Sequence, residues 1–185
     1  MKARIEIILG CMYSGKSTEL IRRCNRYAAI GKRQLIINHT IDTRTTTNSV
    51  KTHAGVTHTA LSLSNLMELI ENKTYRDLLY NTDIIGIDEA QFFDDLIEFV
   101  IYIESLHKTV IIAGLDGDSD RKPFGQILNC IPLCDEVIKL TALDMISNDG
   151  SKAIFSKRLI TSENVIAVGG KETYIAVSRT NYLSK

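Results

Sequence analysis

The stretch Gly10-Cys11-Met12-Tyr13-Ser14-Gly15-Lys16-Ser17 decides the fold of this chain. It satisfies the pattern G-x-x-x-x-G-K-[ST], in which two glycines let the backbone turn back and point its N–H groups at phosphate. Lys16 supplies a positive charge for the outer phosphates, and Ser17 offers a hydroxyl to Mg²⁺. The motif predicts a phosphate-binding loop, and the alternative is a glycine turn that binds nothing.

The residues on either side of the loop favour the phosphate-binding interpretation. Arg4-Ile5-Glu6-Ile7-Ile8-Leu9 is a short, mainly apolar run that is typical of a buried strand. Behind the loop, five residues recur at helical spacing: Leu20, Ile21, Cys24, Tyr27 and Ala28. A strand, this motif and a helix in that order form the context in which the motif binds phosphate.

The composition restricts the classes of function. With 185 residues, of which 44% are hydrophobic and 24% charged, the chain can bury one core and a small appendage. Its 22 basic and 22 acidic residues cancel, which argues against nucleic-acid and membrane partners and favours a small-molecule ligand. The N-terminus passes directly into a strand, and no apolar run has membrane-spanning length, so we expect a cytoplasmic protein.

The four cysteines show neither the spacing of a disulfide framework nor that of a metal site. They are Cys11, Cys24, Cys130 and Cys134. We expect all four to remain thiols in a reducing compartment, with Cys24 and Cys130 in the core, because free cysteine is among the most buried residue types.

Most of the remaining chain alternates between strand and helix patterns. Three mainly apolar runs are predicted strands: Gln34–Asn38, Asp83–Asp88 and Thr109–Leu115. Helices are predicted from Leu63 towards Leu79 and from Phe92 to Leu106, whereas residues 39–62 are polar without a period and are predicted to be a loop. The alternation predicts an α/β fold whose mainly parallel sheet binds its ligands beyond the carboxyl ends of the strands.

The pattern changes near Ala142, where short apolar runs are separated by Gly and Asn. These runs, at 154–158, 165–168 and 174–177, predict a small β unit. We therefore divide the chain into a P-loop core that binds ATP, residues 1–141, and a small β domain, residues 142–185.

The segment Ile87-Asp88-Glu89-Ala90-Gln91 ends a predicted strand with two adjacent carboxylates. P-loop proteins place such groups near the metal, so Asp88 is predicted to hold Mg²⁺ through water. Glu89 is predicted to accept the proton of an attacking hydroxyl or to position a water. The alternative is a pair of solvated acids at the N-terminus of the following helix, where carboxylates are favoured.

Two functions share these motifs, a motor ATPase or helicase core and a small-molecule kinase. A single sheet with a small β unit lacks a second motor domain, and the even charge balance argues against a nucleic-acid track. A kinase needs an apolar, water-poor pocket for its acceptor. Apolar and aromatic residues near predicted strand ends and loops can line one: Met12, Tyr13, Phe92, Leu115, Phe124 and Tyr174.

Nearly the full length of the chain resembles the type II thymidine kinase family, in its eukaryotic and large-DNA-virus branch. The matching motifs are Gly15-Lys16-Ser17-Thr18-Glu19-Leu20, Asp42-Thr43-Arg44, Ile85-Gly86-Ile87-Asp88-Glu89-Ala90-Gln91-Phe92-Phe93, Leu115-Asp116-Gly117, Arg121-Lys122-Pro123-Phe124-Gly125, Lys157-Arg158 and Gly169-Gly170 followed by Tyr174. The resemblance implies a RecA-like core and a lasso domain that closes over thymidine. It also implies a homotetramer.

The resemblance further implies ATP-dependent chemistry with Mg²⁺ held by Ser17 and Asp88. Glu89 would be the base that deprotonates the 5′-hydroxyl, while Lys16 and Arg44 would face the transferred phosphoryl group. The implied ATP-binding residues are Gly10, Cys11, Met12, Tyr13, Ser14, Gly15, Lys16, Ser17, Thr18, Asp42, Arg44, Asp88 and Gln91.

The acceptor implied by the resemblance is thymidine, with deoxyuridine as a second substrate. Backbone groups of the lasso would read most of the thymine edge. The implied nucleoside-binding residues are Met12, Phe92, Leu115, Ser119, Phe124, Arg158, Val165, Ile166, Ala167, Val168, Gly169 and Tyr174. The alternative from another class is a nucleotide-binding assembly or regulatory protein that has lost phosphoryl transfer.

The chain departs from this family at the positions of its structural zinc. The family usually holds the metal with two C-x-x-C pairs, and the matching positions here are Asp144, Ser147, Ser178 and Asn181. Hydroxyls and an amide bind Zn²⁺ poorly, and one carboxylate cannot make a tetrahedral site, so we predict no bound zinc. Such a site contributes on the order of several kcal/mol to folding, and hydrogen bonds among these polar residues are expected to replace part of it.

Two further departures concern the pocket and the loop. Ser119 stands where the family commonly has a phenylalanine that packs on the thymine ring. Losing that ring contact weakens binding by about 1–2 kcal/mol or admits other pyrimidine deoxynucleosides. Cys11 stands where the family usually has proline, a change that we expect the loop to tolerate.

Overall fold

The computed structural model of the chain describes residues 2–42, 49–51, 57–159 and 173–184. In chain order its strands and helices are β1 (Arg4–Gly10), α1 (Lys16–Ala28), β2 (Gln34–His39), β3 (Ser49–Lys51), β4 (Thr57–Thr59), β5 (Leu61–Leu63), α2 (Glu68–Glu71), α3 (Lys73–Tyr80), β6 (Ile84–Ile87), α4 (Leu96–Ser105), β7 (Thr109–Gly114), β8 (Glu136–Leu140), β9 (Ala142–Leu143), β10 (Lys152–Ala153), β11 (Phe155–Arg158), β12 (Tyr174–Val177) and α5 (Arg179–Leu183). Two 3₁₀ helices, Ala90–Phe92 and Ile127–Leu133, complete the description.

Six strands form one sheet in the order β5-β2-β6-β7-β1-β8, and each pair of neighbours is parallel. Strand β7 lies between β1, which leads into the P-loop (residues 10–17), and β6, which leads into Asp88 and Glu89. The predicted α/β class is therefore confirmed. The parallel order brings both motifs to the same edge of the sheet.

Alternate residues of the central strands pack on opposite faces of the sheet. In β1, Ile7 joins the core under α4, whereas Ile8 joins the core under α1. Cys24 of α1 lies in the second of these cores and Cys130 in the first, as the sequence predicts. Burial raises the pKa of the Cys24 thiol to about 12 and that of Cys130 to about 11, so both stay protonated.

Glu6 is a buried charged residue within β1, and it ties the strand to α1. Its carboxylate pairs with Arg23 of α1, and both side chains are nearly buried, with exposed fractions of 7% and 11%. Arg23 also contacts Glu19 at 2.8 Å and Glu136 of β8 at 3.0 Å. A guanidinium shared by three carboxylates fixes the helix that follows the P-loop against two strands.

The region between β2 and β6 differs from its prediction in two ways. Residues 39–62 contain the antiparallel pair β3–β4 and the edge strand β5, where a loop is predicted. The single helix predicted from Leu63 is also wrong, because Leu63 belongs to β5 and two short helices follow. They separate at Asn72, which is extended and accepts the Thr74 N–H at 3.0 Å, so it ends one helix and caps the next.

The helix predicted from Phe92 starts later, at Leu96. Residues 90–92 form a 3₁₀ turn, and Phe93 is extended with its side chain fully buried in the core. The sequence analysis does not predict β8, β9, β10 or α5, all of which are short and lack a continuous apolar run.

The C-terminal strands pair as β9–β10 and β11–β12, both antiparallel, which agrees with the predicted β character of this region. The boundary between residues 141 and 142 stays a prediction. The strand predicted at 165–168 lies outside the described residues. Within the described ranges, no helix combines the length and the apolar character that crossing a membrane requires.

Candidate active site

The P-loop depends on Gly10 and Gly15 for its shape. Gly10 has φ +154°, and a Cβ there would lie 2.6 Å from Ser14 Oγ and 2.7 Å from the Leu140 carbonyl oxygen. Gly15 has φ +86°, a left-handed conformation that side chains rarely adopt, and it directly precedes α1. The loop therefore delivers the chain to a helix N-terminus, where backbone N–H groups favour an anion.

Lys16 is held against the inside of this loop. Its side chain is buried, and its Nζ donates to the Cys11 carbonyl oxygen at 2.8 Å. Ser14 Oγ donates to the same carbonyl, also at 2.8 Å. Ser17 is half-buried and Thr18 is exposed, both in the first turn of α1. The Lys16 ammonium, the Ser14 hydroxyl and the N-terminus of α1 thus lie at one end of the loop.

The two predicted carboxylates follow β6 directly. Asp88 is 2% exposed, and its N–H donates to the Ile37 carbonyl oxygen at 2.8 Å, which extends the strand pairing by one residue. Glu89 has φ +50° and ψ 40°, an uncommon conformation for a residue with a side chain. The chain turns sharply here, directly after Asp88. Such strain often accompanies a functional site.

Gln91 fixes the direction of the Glu89 carboxylate. Its Nε2 donates to Glu89 Oε2 at 2.7 Å, and its Oε1 accepts the Leu115 N–H at 2.9 Å. Gln91 is a predicted nucleotide-binding residue, a role that stays a prediction, and its amide joins Glu89 to the strand end after β7. Gly125 allows this arrangement, because a Cβ there would lie only 2.1 Å from the Gln91 carbonyl oxygen. The sequence motif contains Gly125 but does not reveal this contact.

Four aromatic rings pack together around the 3₁₀ turn that follows Glu89. Phe92 and Phe124, both predicted pocket residues, meet edge to face with centroids 5.5 Å apart. His39 packs on Phe92 at 5.9 Å and on the buried Phe93 at 4.8 Å. Its Nδ1 accepts the Ile41 N–H at 3.0 Å, and burial lowers the pKa of His39, so the ring is neutral at pH 7. The sequence analysis did not identify His39.

Arg158 and Tyr174 form a pair on β11 and β12. Arg158 Nη2 donates to the Tyr174 hydroxyl at 2.9 Å, and the guanidinium lies 5.4 Å from the ring centroid. Tyr13 of the P-loop donates its hydroxyl to the Tyr174 carbonyl oxygen at 3.3 Å. The structure therefore brings two predicted nucleoside residues next to a predicted nucleotide residue.

Ser119 lies under the C-terminal helix. The Tyr182 hydroxyl of α5 donates to the Ser119 carbonyl oxygen at 2.7 Å, and the Arg121 guanidinium stacks 4.5 Å from the Tyr182 ring centroid. Phe155 packs against the same tyrosine with centroids 5.0 Å apart. A ring is thus present near residue 119, but it comes from α5 and holds the loop through its backbone.

Several predicted residues lie outside the described part of the chain. They are Arg44, Val165, Ile166, Ala167, Val168 and Gly169. Asp42 is described and half-buried, and its N–H donates to the His39 carbonyl oxygen at 3.0 Å. Met12 and Leu115 are half-buried, at the P-loop and at the end of β7.

The four positions that match the family's zinc ligands lie together around the Asp144 carboxylate. Asp144 is 2% exposed and accepts the N–H groups of Ile146 at 2.8 Å, Ser147 at 2.9 Å and Ser178 at 2.6 Å. Asn181 Nδ2 lies 3.0 Å from both carboxylate oxygens and 2.7 Å from Ser147 Oγ. We call Asp144, Ser147, Ser178 and Asn181 the Asp144 cluster; it joins the turn after β9 to the start of α5.

Hydrogen bonds, first of all from the Ser178 side chain, hold the pKa of Asp144 well below its usual range. Within the described residues, no group of three or more His, Cys, Asp or Glu side chains is arranged to hold a metal ion. The Asp144 cluster supplies one carboxylate and several donors, and donors repel a cation. The absence of zinc nevertheless stays a prediction.

Comparison with known proteins gives one consistent family. A sequence profile described as "Thymidine kinase" matches residues 3–182. The chain is 41% identical over 184 residues to the cytosolic thymidine kinase of Homo sapiens, covering 100% of this chain and 75% of that protein. It is 41% identical over 181 residues to the thymidine kinase of Raccoon poxvirus, covering 98% and 97%. Thymidine kinase a of Arabidopsis thaliana is 40% identical over 181 residues, covering 97% and 75%.

The Asp144 cluster predicts a specific pH dependence of stability. Because the folded pKa of Asp144 is depressed, its contribution is complete above the unfolded value of about 3.9 and is lost as pH falls through the folded value. Asp144→Asn is expected to lower the melting temperature by several degrees at pH 7. The difference in melting temperature between variant and wild type should narrow below about pH 4. Thermal melts from pH 7 to pH 3 measure it, with the exposed Asp120→Asn as control; a gap independent of pH would contradict this role.

Zinc is expected to have no effect on the protein. Zn²⁺ added to metal-free protein should change neither the melting temperature nor the rate of phosphoryl transfer, because the Asp144 cluster provides no thiolates. A marked rise in melting temperature at stoichiometric Zn²⁺ would show that these four positions have been misinterpreted.

Proposed function

Because this chain belongs to the thymidine kinase family, we propose that it transfers the terminal phosphoryl group of ATP to the 5′-hydroxyl of thymidine, forming thymidine monophosphate. Identity near 40% to thymidine kinases over nearly the whole chain supports this function. The observation that carries it in the structure is the Glu89 carboxylate, held by Gln91 at the same sheet edge as the P-loop and Lys16.

Glu89 is proposed as the general base. A carboxylate at hydrogen-bond distance from the 5′-hydroxyl accepts its proton as the oxygen attacks phosphorus. Gln91 contributes by orientation, since its Nε2 bond aims the Glu89 carboxylate while its Oε1 is anchored to Leu115. The nearby rings of Phe92 and Phe124 give the acceptor site an apolar wall that limits access of competing water.

The P-loop amides and Lys16 are proposed to hold the phosphates. Lys16 uses one of its three N–H groups on the Cys11 carbonyl, and an ammonium so anchored can direct another at a phosphate oxygen. Arg44 and Asp42 are proposed to face the phosphates from the segment after β2, where a guanidinium matches the oxygens of the transferred group. This part of the proposal rests on the family motif for Arg44.

Ser17 and Asp88 are proposed to hold Mg²⁺. The fit is supported by the buried Asp88 carboxylate at the end of β6 and by the chemistry of the donors, because Mg²⁺ prefers oxygen ligands and completes its shell with water and phosphate. When bound, the ion supplies positive charge against the charge that builds on the phosphates.

The remaining parts of the proposal are the nucleoside range, the assembly and the location. Arg158, Tyr174 and the backbone of residues 165–169 are proposed to bind the nucleoside, with Ser119 leaving room for deoxyuridine and related pyrimidine deoxynucleosides. We propose a homotetramer, as implied by the family resemblance. The human relative is described as cytosolic, which supports a cytoplasmic location.

A turnover assay separates this function from its alternatives. Purified protein with Mg²⁺ and labelled ATP should phosphorylate thymidine, and deoxyuridine more weakly. A nucleotide-binding regulatory protein would bind ATP and yield no monophosphate. A motor ATPase would hydrolyse ATP in response to nucleic acid and ignore thymidine. Failure to phosphorylate any pyrimidine deoxynucleoside would refute the proposal.

Glu89→Gln is expected to lower kcat by about 10²-fold or more while ATP affinity stays near that of the wild type, because the change removes the proton acceptor and little else. Steady-state kinetics with ATP binding measured by titration calorimetry provide the test. Glu104→Gln, at an exposed position of α4, is the matched control. Wild-type turnover by Glu89→Gln would remove Glu89 from the role of base.

A further inference from the structure

The first three of the four variable residues of the P-loop contact the C-terminal strands. Cys11 Sγ donates to the Ala153 carbonyl oxygen of β10 at 3.4 Å, and the Met12 N–H donates to Ser156 Oγ of β11 at 2.9 Å. Tyr13 reaches β12 through its hydroxyl, as described above. The loop proposed to hold phosphate therefore also supports the β unit proposed to cover the nucleoside.

The contact with Ser156 differs from the other two because it involves the loop backbone. The Met12 N–H and the Cys11 carbonyl belong to the same peptide group, which is planar and trans, so the two bonds point in opposite directions. The N–H faces Ser156 outside the loop. The carbonyl faces Lys16 Nζ inside the loop, at 2.8 Å. One rigid unit thus joins a hydroxyl of the C-terminal strands to the P-loop lysine.

We propose that Ser156 is a positioning residue for the nucleotide: its hydroxyl fixes the Cys11–Met12 peptide and, through the Cys11 carbonyl, sets the position of the Lys16 ammonium. The inference rests on the proposed function insofar as Lys16 holds phosphate. It adds a residue from the C-terminal strands to the nucleotide site.

The surroundings of Ser156 suit this role. The residue is 6% exposed, and its backbone is fixed in the β11–β12 pair opposite Ala176. A buried hydroxyl on a paired strand has little freedom to move away from the Met12 N–H. Without the hydroxyl, the Met12 N–H loses this partner, and the Cys11–Met12 peptide is held from its carbonyl side by Ser14 and Lys16. The carbonyl is then fixed less firmly, and so is the Lys16 ammonium that donates to it.

The same strand pair carries Arg158 and Tyr174, which face each other two residues beyond Ser156 and Ala176. A nucleoside that orders the β11–β12 pair at Arg158 and Tyr174 therefore also orders the Ser156 hydroxyl, which accepts the Met12 N–H. Ser156 is a point at which the β11–β12 pair contacts the backbone of the P-loop.

Three substitutions separate the hydroxyl from packing. Ser156→Ala removes the hydroxyl, Ser156→Val removes it but adds branching that suits a strand, and Ser156→Thr has nearly the same shape as Ser156→Val and keeps the hydroxyl. ATP affinity measured by calorimetry is expected to fall about fivefold to tenfold in Ser156→Ala and Ser156→Val, the effect typical of one hydrogen bond. It should stay within about twofold in Ser156→Thr. Ser184→Ala is the control and should bind ATP as the wild type does, because the exposed Ser184 hydroxyl donates to the Thr180 carbonyl oxygen of α5.

A double-mutant cycle tests whether Ser156 acts through Lys16. If it does, adding Ser156→Ala to Lys16→Ala should weaken ATP binding little further, because the group being positioned is already gone. Thymidine affinity without ATP should stay within about twofold of wild type in Ser156→Ala, and thermal melts confirm that each variant is folded.

The outcomes against the proposal are specific. Wild-type ATP affinity in both Ser156→Ala and Ser156→Val would overturn it. If Ser156→Ala lowered ATP affinity equally in the wild type and in Lys16→Ala, Ser156 would not act through the lysine. That result would also overturn the proposal. Failure of the wild type to bind ATP or to phosphorylate a nucleoside would count against the proposed function, which distinguishes the two failures.

Discussion

Ile112 of β7 pairs on one side with Ile7 of β1 and on the other with Ile87 of β6, and this register sets the positions of the P-loop and of the carboxylates after β6. The P-loop begins three residues after Ile7, Asp88 follows Ile87 directly, and Leu115 lies three residues after Ile112. All of them lie at the edge where the parallel strands end. A slip of one residue would turn the core side chains of a strand to the other face of the sheet. Since both faces are packed, the apolar pattern that stabilises the core also fixes the distance between the phosphate loop and the carboxylates.

At this edge of the sheet, a few hydrogen bonds connect the reactive side chains to the backbone. Glu89 adopts a left-handed conformation, and Gln91 bonds both its carboxylate and the Leu115 N–H. At the P-loop, the Cys11–Met12 peptide connects Ser156 to Lys16. In both places a neutral hydrogen-bonding group orients a charged side chain.

Hydrogen bonds join the four positions in the C-terminal region that match the zinc ligands implied by the family resemblance. The Asp144 carboxylate receives backbone N–H groups from the turn after β9 and from the start of α5, so one side chain connects segments far apart in sequence. A carboxylate acts as an acceptor for several donors, whereas a metal needs several acceptors around one cation. The four positions keep the spacing of the two C-x-x-C pairs, and at their centre lies a negatively charged acceptor. A zinc ion would be a positively charged centre. The hydroxyl of Tyr182 adds a second connection, by donating to the Ser119 carbonyl oxygen.

The sequence by itself determined the α/β class, the P-loop, the two carboxylates after β6 and the burial of Cys24 and Cys130, because apolar periodicity and short motifs are local properties. It did not determine the division of the predicted helix at Asn72, the strands in residues 39–62, or β8, since these short elements depend on packing and edge pairing. Only the tertiary structure decided that Gln91 orients Glu89 and that Ser156 meets the P-loop. These bonds join residues whose partners are set by the fold, and no local pattern in the sequence encodes them.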